Sequence, residues 1–242
     1  MARGSPIEWT HSTWNPVTGC TKISPGCAHC YAERMAFRLQ SMGQANYASG
    51  FGVALHEHAL GLPLRWKRPQ TIFVNSMSDL FHQDVPRYFI RRVFTIIEQA
   101  HWHRFQILTK RAARLAALAP SLRWPGNVWM GVTVESRRYA SRIDYLRNTQ
   151  AATKFVSFEP LLGPVSEVSL DGLQWVIAGG ESGPGARPMD PMWVVDIRDR
   201  CRAAGIAFFF KQWGGVRRKA AGRLLEGRTW DEMPHMARSL GA

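Results

Sequence analysis

Three of the four cysteines stand within eleven residues of one another, Cys20, Cys27 and Cys30, in the spacing Cys-x6-Cys-x2-Cys. In a reducing compartment a tight cysteine group reads as metal binding before it reads as a disulfide. Cys27 and Cys30 lie one turn apart, at the start of an expected helix over Tyr31–Met42. A helix N-terminus favours thiolate and an anionic cluster. Gly19, Pro25 and Gly26 let the loop fold back, so that Cys20 reaches the same centre. Iron–sulfur clusters normally take four Cys ligands, so three suit a 4Fe–4S cluster with one iron left open. Such an iron accepts the amino and carboxylate groups of S-adenosylmethionine. The alternative is a Cys3His zinc site that recruits His29, His11 or a more distant His. Cys201 falls on the apolar face of an expected helix, Met192–Ala204, and reads as core.

A second set of polar residues follows short apolar runs. They are Asn75-Ser76-Met77-Ser78-Asp79, Thr109-Lys110-Arg111, Thr133 with Glu135, Ser157 with Glu159, Gly179-Gly180-Glu181-Ser182-Gly183, and Lys211-Gln212-Trp213. In parallel α/β folds chemistry sits at the carboxyl ends of the strands, so these residues converge if the runs are parallel strands. Helix caps and surface ion pairs are the plainer roles for each residue taken singly. Glu159 and Glu181 would be an acid/base pair in a hydrolase, a weaker reading. The glycine-rich run Gly179–Gly185 allows close backbone approach to a phosphate or cofactor, or else turns that need positive φ. It fits neither a Walker loop nor a dinucleotide-binding fingerprint.

The elements that must position these groups recur in order. Apolar, β-rich runs occur at Thr71–Asn75, Phe105–Thr109, Val128–Val134, Lys154–Phe158, Gln174–Ala178 and Ile206–Phe210. Their spacing suits one strand, one helix and loops. Helical periodicity marks Pro86–Ala100 and Met192–Ala204. An N-terminal strand near Ile7–Trp9 brings the strand count to seven. The expected fold is therefore α/β, a partial or full βα barrel, with a doubly wound sheet as the competitor. Gln44–Gln70 reads as an excursion between the first helix and the next strand. Residues 1–213 are expected to form the barrel and 214–242 a basic C-terminal tail.

The chain has 242 residues, 31 Lys and Arg against 18 Asp and Glu, and a formal net charge of +13. That excess points to a polyanionic partner, nucleic acid before membrane. A composition of 45% hydrophobic and 20% charged residues excludes a mostly disordered chain. No run of about 18 apolar residues predicts a membrane span. Met1–Thr10 has no apolar core of a secretory signal, so a cytoplasmic location is expected.

Trp14-Asn15-Pro16-Val17-Thr18-Gly19-Cys20, with Ser24-Pro25-Gly26-Cys27-Ala28-His29-Cys30-Tyr31-Ala32, resembles the phage- and prophage-encoded three-Cys-motif family of radical-SAM-like proteins. So do Asn75–Phe81, Ser157–Leu162, Gly179–Gly183 and Phe210–Gly214. The motifs run in order up to about Gly215. The resemblance implies a βα barrel of radical-SAM type with its cluster loop after the first strand. Most such proteins place three residues between the first two cysteines, where this chain has six. The residue before the last cysteine is usually aromatic and packs near the adenine; here it is His29, which can stack similarly. A distant resemblance to DNA repair enzymes of the spore-photoproduct-lyase kind is an idea that the basic charge encourages.

On this reading Cys20, Cys27 and Cys30 hold the cluster. Ser76, Ser78 and Asp79 bind the methionyl amino group, and Thr133 and Glu135 bind ribose hydroxyls. Lys110, Arg111, Lys211 and Gln212 contact substrate phosphate or base, and Trp213 stacks a base or caps the barrel. The expected partners are nucleic acid, DNA before RNA, and an electron donor such as flavodoxin or ferredoxin. The basic tail is an alternative recruiter of a protein partner. A non-catalytic, metal-stabilised nucleic-acid-binding module is the competing function.

Overall fold

The structure is a computed structural model and describes Ser5, residues 7–217 and residues 220–234. The described elements run β1 (Ser12–Trp14), β2 (Val17–Thr18), α1 (Tyr31–Ser41), β3 (Ala54–Leu55), β4 (Thr71–Val74), α2 (Arg87–Gln99) and β5 (Arg104–Thr109). They continue with α3 (Ala112–Leu118), β6 (Val128–Thr133), α4 (Ser141–Arg147), β7 (Thr153–Phe158), β8 (Trp175–Gly179), α5 (Pro191–Ala203) and β9 (Ala207–Gln212).

Seven of these strands form one parallel sheet in the order β1-β4-β5-β6-β7-β8-β9. Neighbours in space are successive along the chain, apart from the short antiparallel pair β2–β3, which lies outside this sheet. Right-handed crossovers that never reverse direction put the helices that follow β4 on one side and curl the sheet. A doubly wound sheet would reverse its strand order at a switch point, and this one does not. No described pair joins β9 to β1, so the barrel is partial.

Strand alternation separates two cores. Toward the helices, Ile72, Val74, Phe105, Ile107, Val128, Met130, Val132, Val156 and Phe208 share one core with Phe89, Ile90, Val93, Phe94 and Ile97 of α2. Those five recur at helical spacing and are the reason α2 forms here. Full burial of each stabilises by about 1.5–3 kcal/mol. α5 starts where Asp190 accepts a hydrogen bond from Met192 N (2.8 Å) with Pro191 in the first turn, and ends before Gly205 at φ +65°. On the concave side Trp129, Phe155, Trp175, Ile177 and Phe209 form a second cluster, and Trp9 lies over it.

The N-terminal strand expected at Ile7–Trp9 lies instead at Ser12–Trp14, paired with β4. Trp9 is buried edge-on against Phe73 and Trp175, so its apolarity serves as a plug and not a strand. Of the segment read as a basic tail, residues 230–232 cover the open edge of β9. Phe210 N donates to Trp230 O (2.9 Å) and Glu232 N to Phe208 O (3.1 Å), which satisfies groups an edge strand would expose. Residues 235–242 lie outside the described residues.

Three histidines are buried with their rings in use. His56 Nε2 meets Thr18 Oγ1 (2.8 Å), His82 Nε2 meets Thr21 Oγ1 (2.8 Å), and His103 Nδ1 accepts from Gln70 N (3.1 Å). Burial is the first cause that holds all three below the ordinary value of 6.5. The folded state therefore binds fewer protons than the unfolded chain once pH falls through 6.5. Stability is full above that value and declines below it until the folded groups titrate. Thermal melts at about pH 7.5 and about pH 5.5 should give a lower Tm at the acid end. An equal or higher Tm at the acid end would show that these histidines are not buried neutral.

Candidate iron–sulfur site

The cysteine loop, residues 19–30, leaves β2 and crosses the carboxyl edge of the sheet. Its root is fixed by backbone: Gly19 N donates to Met77 O (3.1 Å), Cys20 N to Phe51 O (3.1 Å), and Ser78 Oγ to Val17 O (2.8 Å). Gly19 has φ +80°, and a Cβ there would stand 2.0 Å from Gly52 O, so only glycine fits. Cys30 is extended and directly precedes α1, in N-cap position. All three thiols are free and partly exposed.

Ion pairs with buried carboxylates at three strand ends then grip this loop. After β5, Arg111 donates from Nη1 to Cys20 Sγ (3.3 Å) and to Asp79 Oδ2 (3.1 Å), and from Nη2 to Thr21 O and Oγ1 (both 3.0 Å). After β6, Glu135 is 1% exposed; it accepts from Ser24 Oγ and from Arg142 Nη1 (2.8 Å) and packs directly on Gly26. After β8, Glu181 accepts from Arg187 Nε (2.9 Å) and Nη2 (2.5 Å), and Arg187 Nη2 reaches Pro25 O (2.9 Å). Burial raises the Glu181 carboxyl, but the Arg187 hydrogen bonds outweigh it and hold it below the ordinary value. Arg34 of α1 donates to Ser182 O (3.2 Å), and His29 packs against Gly185. The glycine-rich loop is thus a clasp over the cysteine loop.

The Cys20 thiol is pushed up to about 11, first by burial, then by Asp79, with Arg111 opposing. A metal ligand must be a thiolate, so loading this position releases a proton. Cys201 is buried on α5 and pushed up to about 12, mainly by burial, consistent with a core role.

The other expected site residues fall at the same edge, in varied roles. Asp79 is engaged by four donors, Phe81 N (2.9 Å), Thr109 Oγ1 (2.7 Å), Lys110 N (3.2 Å) and Arg111. Ser76 Oγ donates to Asn15 Oδ1 (3.2 Å) and retains its lone pairs. The Thr133 carbonyl accepts from Arg142 Nη1 (2.7 Å). Lys211 Nζ pairs with Glu159 Oε1 (3.0 Å), and Ser157 Oγ donates to Glu159 Oε2 (3.2 Å). Gln212 Nε2 donates to Ser182 Oγ (2.6 Å), while its buried Oε1 has no partner. Trp213 packs on the helix-side core, edge-on to Phe210, with Nε1 donating to Leu224 O (2.9 Å). Glu181 and Glu159 each have a cationic partner of their own, Arg187 and Lys211.

His11 is at the amino end of β1 and accepts from Thr71 N (3.0 Å), away from the cysteine loop. Among the described residues no group of three or more His, Cys, Asp or Glu side chains, the three loop cysteines included, is drawn together around a single metal position. The residues the sequence did not single out are the arginines Arg34, Arg142 and Arg187, and Thr21. Arg142 and Arg187 have partners seven and six residues away, Glu135 and Glu181, but Arg34, Thr21 and the second contact of Arg187 are met only across the chain, where no local spacing marks them. Glycines at Gly180 and Gly214 are explained by packing: a Cβ on Gly180 would stand 1.9 Å from Trp213 O.

No helix among the described residues is long and apolar enough to cross a membrane. No curated protein matches the chain in sequence. Two solved structures are similar to the chain. A cysteine-to-serine mutant of spore photoproduct lyase aligns with a TM-score of 0.50 at 14% identity, covering 70% of this chain and 56% of that one. Spore photoproduct lyase complexed with dinucleoside spore photoproduct aligns with a TM-score of 0.48 at 14% identity, covering 67% and 54%. The chain thus spans little more than half the length of those lyase chains. A family model described as "Protein of unknown function (DUF5131)" matches residues 4–234, nearly the whole chain, and the protein belongs to that family.

Proposed function

We propose that this protein is an iron–sulfur enzyme of the radical S-adenosylmethionine kind that acts on nucleic acid. One observation carries the reading: three free cysteines share a loop across the carboxyl edge of a seven-stranded parallel partial barrel. That edge is where α/β folds keep their chemistry. The motif resemblance to radical-SAM-like proteins and the fold likeness to spore photoproduct lyase point the same way.

The donor set fits a 4Fe–4S cluster. Cys20, Cys27 and Cys30 supply three thiolates, and the loop that bears them is pinned from β5, β6 and β8. When bound, cluster and S-adenosylmethionine supply reductive cleavage of the sulfonium and a radical that abstracts hydrogen from the substrate.

The protein's own groups bind, orient and exclude water. Ser76, with oxygen lone pairs free to accept, is the best-placed hydroxyl of its group for an ammonium, since Asp79 is spent on Arg111 and Ser78 on Val17. His29 lies beside Gly185, under the clasp, where an adenine would stack. Glu135 is engaged with Arg142 and Ser24 and so holds the loop, whereas Thr133 meets Arg142 only through its backbone carbonyl, which leaves its hydroxyl for a ribose. The Lys211–Glu159 pair joins the ends of β9 and β7, with Gln212 next to Lys211 and Lys110 at the end of β5, and offers charge to a phosphate or a base edge. The net charge of +13 favours a polyanionic substrate.

Anaerobic protein given S-adenosylmethionine and dithionite should release 5′-deoxyadenosine. Binding to DNA should weaken steeply with salt, by about 10³-fold or more between 50 mM and 200 mM if about six phosphates are neutralised. DNA affinity that is flat with salt would remove the nucleic-acid half of the proposal. Failure to cleave S-adenosylmethionine with a fully loaded cluster would remove the enzymatic half.

A further inference from the structure

We infer that Arg111 and Asp79 set the reduction potential of the cluster through Cys20, an inference that rests on the cluster reading above. Arg111 is the guanidinium in hydrogen-bond contact with a cluster cysteine, and its side chain is only 12% exposed. Its geometry is over-determined. Nη1 is shared between Cys20 Sγ and Asp79 Oδ2, while Nη2 is held by both oxygens of Thr21. Thr21 is in turn anchored on the buried His82, and Asp79 on Phe81 N and Thr109 Oγ1. This is more hardware than a loop anchor needs, because Glu135 and Arg187 already tie the same loop.

The potential of an iron–sulfur cluster depends on its net charge, its burial and the hydrogen bonds to its sulfurs. Reduction adds one negative charge. An N–H donated to the Cys20 sulfur, with a cation behind it, stabilises that charge. The Asp79 carboxylate, one residue further out on the same guanidinium nitrogen, opposes it. The two groups therefore act with opposite sign on one ligand, and neither touches substrate. They are positioning residues.

The pair gives a sign test that a purely structural role would not pass. The protein is reconstituted anaerobically with iron and sulfide, and the reduced fraction is followed by EPR during a potentiometric titration. Arg111→Gln should lower the reduced-to-oxidised ratio about tenfold at the wild-type midpoint, a shift of about 59 mV for one electron. Asp79→Asn, in which Thr21 still holds Arg111, should raise that ratio several-fold. Iron content is measured on each sample. If the wild type takes up no cluster, the functional reading and this inference fall together. If it does, and the two variants shift in the same direction or not at all, this inference alone falls. Should Arg111→Gln not retain a cluster, Arg111→Lys decides. Lysine keeps the charge but cannot span Cys20 and Thr21, so a smaller drop supports the inference and an unchanged midpoint overturns it.

Discussion

Replacement of any one of Cys20, Cys27 and Cys30 by alanine is expected to abolish iron retention, whereas Cys201→Ala should leave it intact. Three thiolates from one loop are the minimum that anchors a cluster with an open iron, so loss of one leaves two ligands and a labile site. The loop would still fold. Its root is held by backbone bonds from Gly19 and Cys20, and its far side by Ser24–Glu135 and Pro25–Arg187, none of which uses a thiol. The three alanine variants should therefore keep the wild-type Tm in the metal-free state while losing visible absorbance after reconstitution. Cys201 lies in the helix-side core and is the internal control for non-specific thiol effects. Iron content and absorbance in all four variants make the check. Equal loss in Cys201→Ala, or full retention in any variant of the loop, would contradict the assignment.

The largest effect on stability should come from Trp175→Ala, at about 3–5 kcal/mol. Trp175 is the hub of the concave cluster. Its ring meets Trp9 at 6.0 Å, Trp129 at 5.7 Å, Phe155 at 5.3 Å and Phe209 at 6.2 Å between centroids. Edge-to-face contacts of this kind add to the burial term. Its indole nitrogen also donates to Glu232 O (2.9 Å), which helps to hold the segment that covers the β9 edge. Truncation opens a cavity beneath the site and orphans that carbonyl at the same time. For a chain of this size about 2–4 °C of Tm accompanies each kcal/mol, so a drop of about 6–20 °C is expected. Phe37→Ala, at a side chain 53% exposed on α1, should stay within about 0.5 kcal/mol. Comparable losses in both variants would mean that the concave cluster does not organise the barrel.

The strands from β4 to β9 were legible because a parallel strand covered on both faces is apolar throughout, as in Val128–Thr133. The first strand was not. Ser12-Thr13-Trp14 is short and polar, whereas Ile7-Glu8-Trp9 has the apolar residues but spends Trp9 as a plug. The strand order also lay beyond periodicity, since it depends on how successive crossovers are laid down. In the site, the cysteines were legible from spacing alone. The polar strand ends were found as positions but not as partners. Arg111 and Cys20 are separated by 91 residues, and Arg187 and Pro25 by 162, so no local pattern records that they meet. Asp79 illustrates the limit: as a strand-end carboxylate it reads equally as a ligand or a cap, and only the four donors around it reveal what it holds.

The most direct test of the central claim is an anaerobic reconstitution of the whole protein followed by iron and sulfide analysis and EPR of the reduced sample with and without S-adenosylmethionine. The account predicts about four irons and four sulfides per chain and a reduced-cluster signal that changes when S-adenosylmethionine is added, as an iron with one open position requires. A protein that binds one zinc and takes up no iron, or a cluster whose signal is indifferent to S-adenosylmethionine, would contradict it.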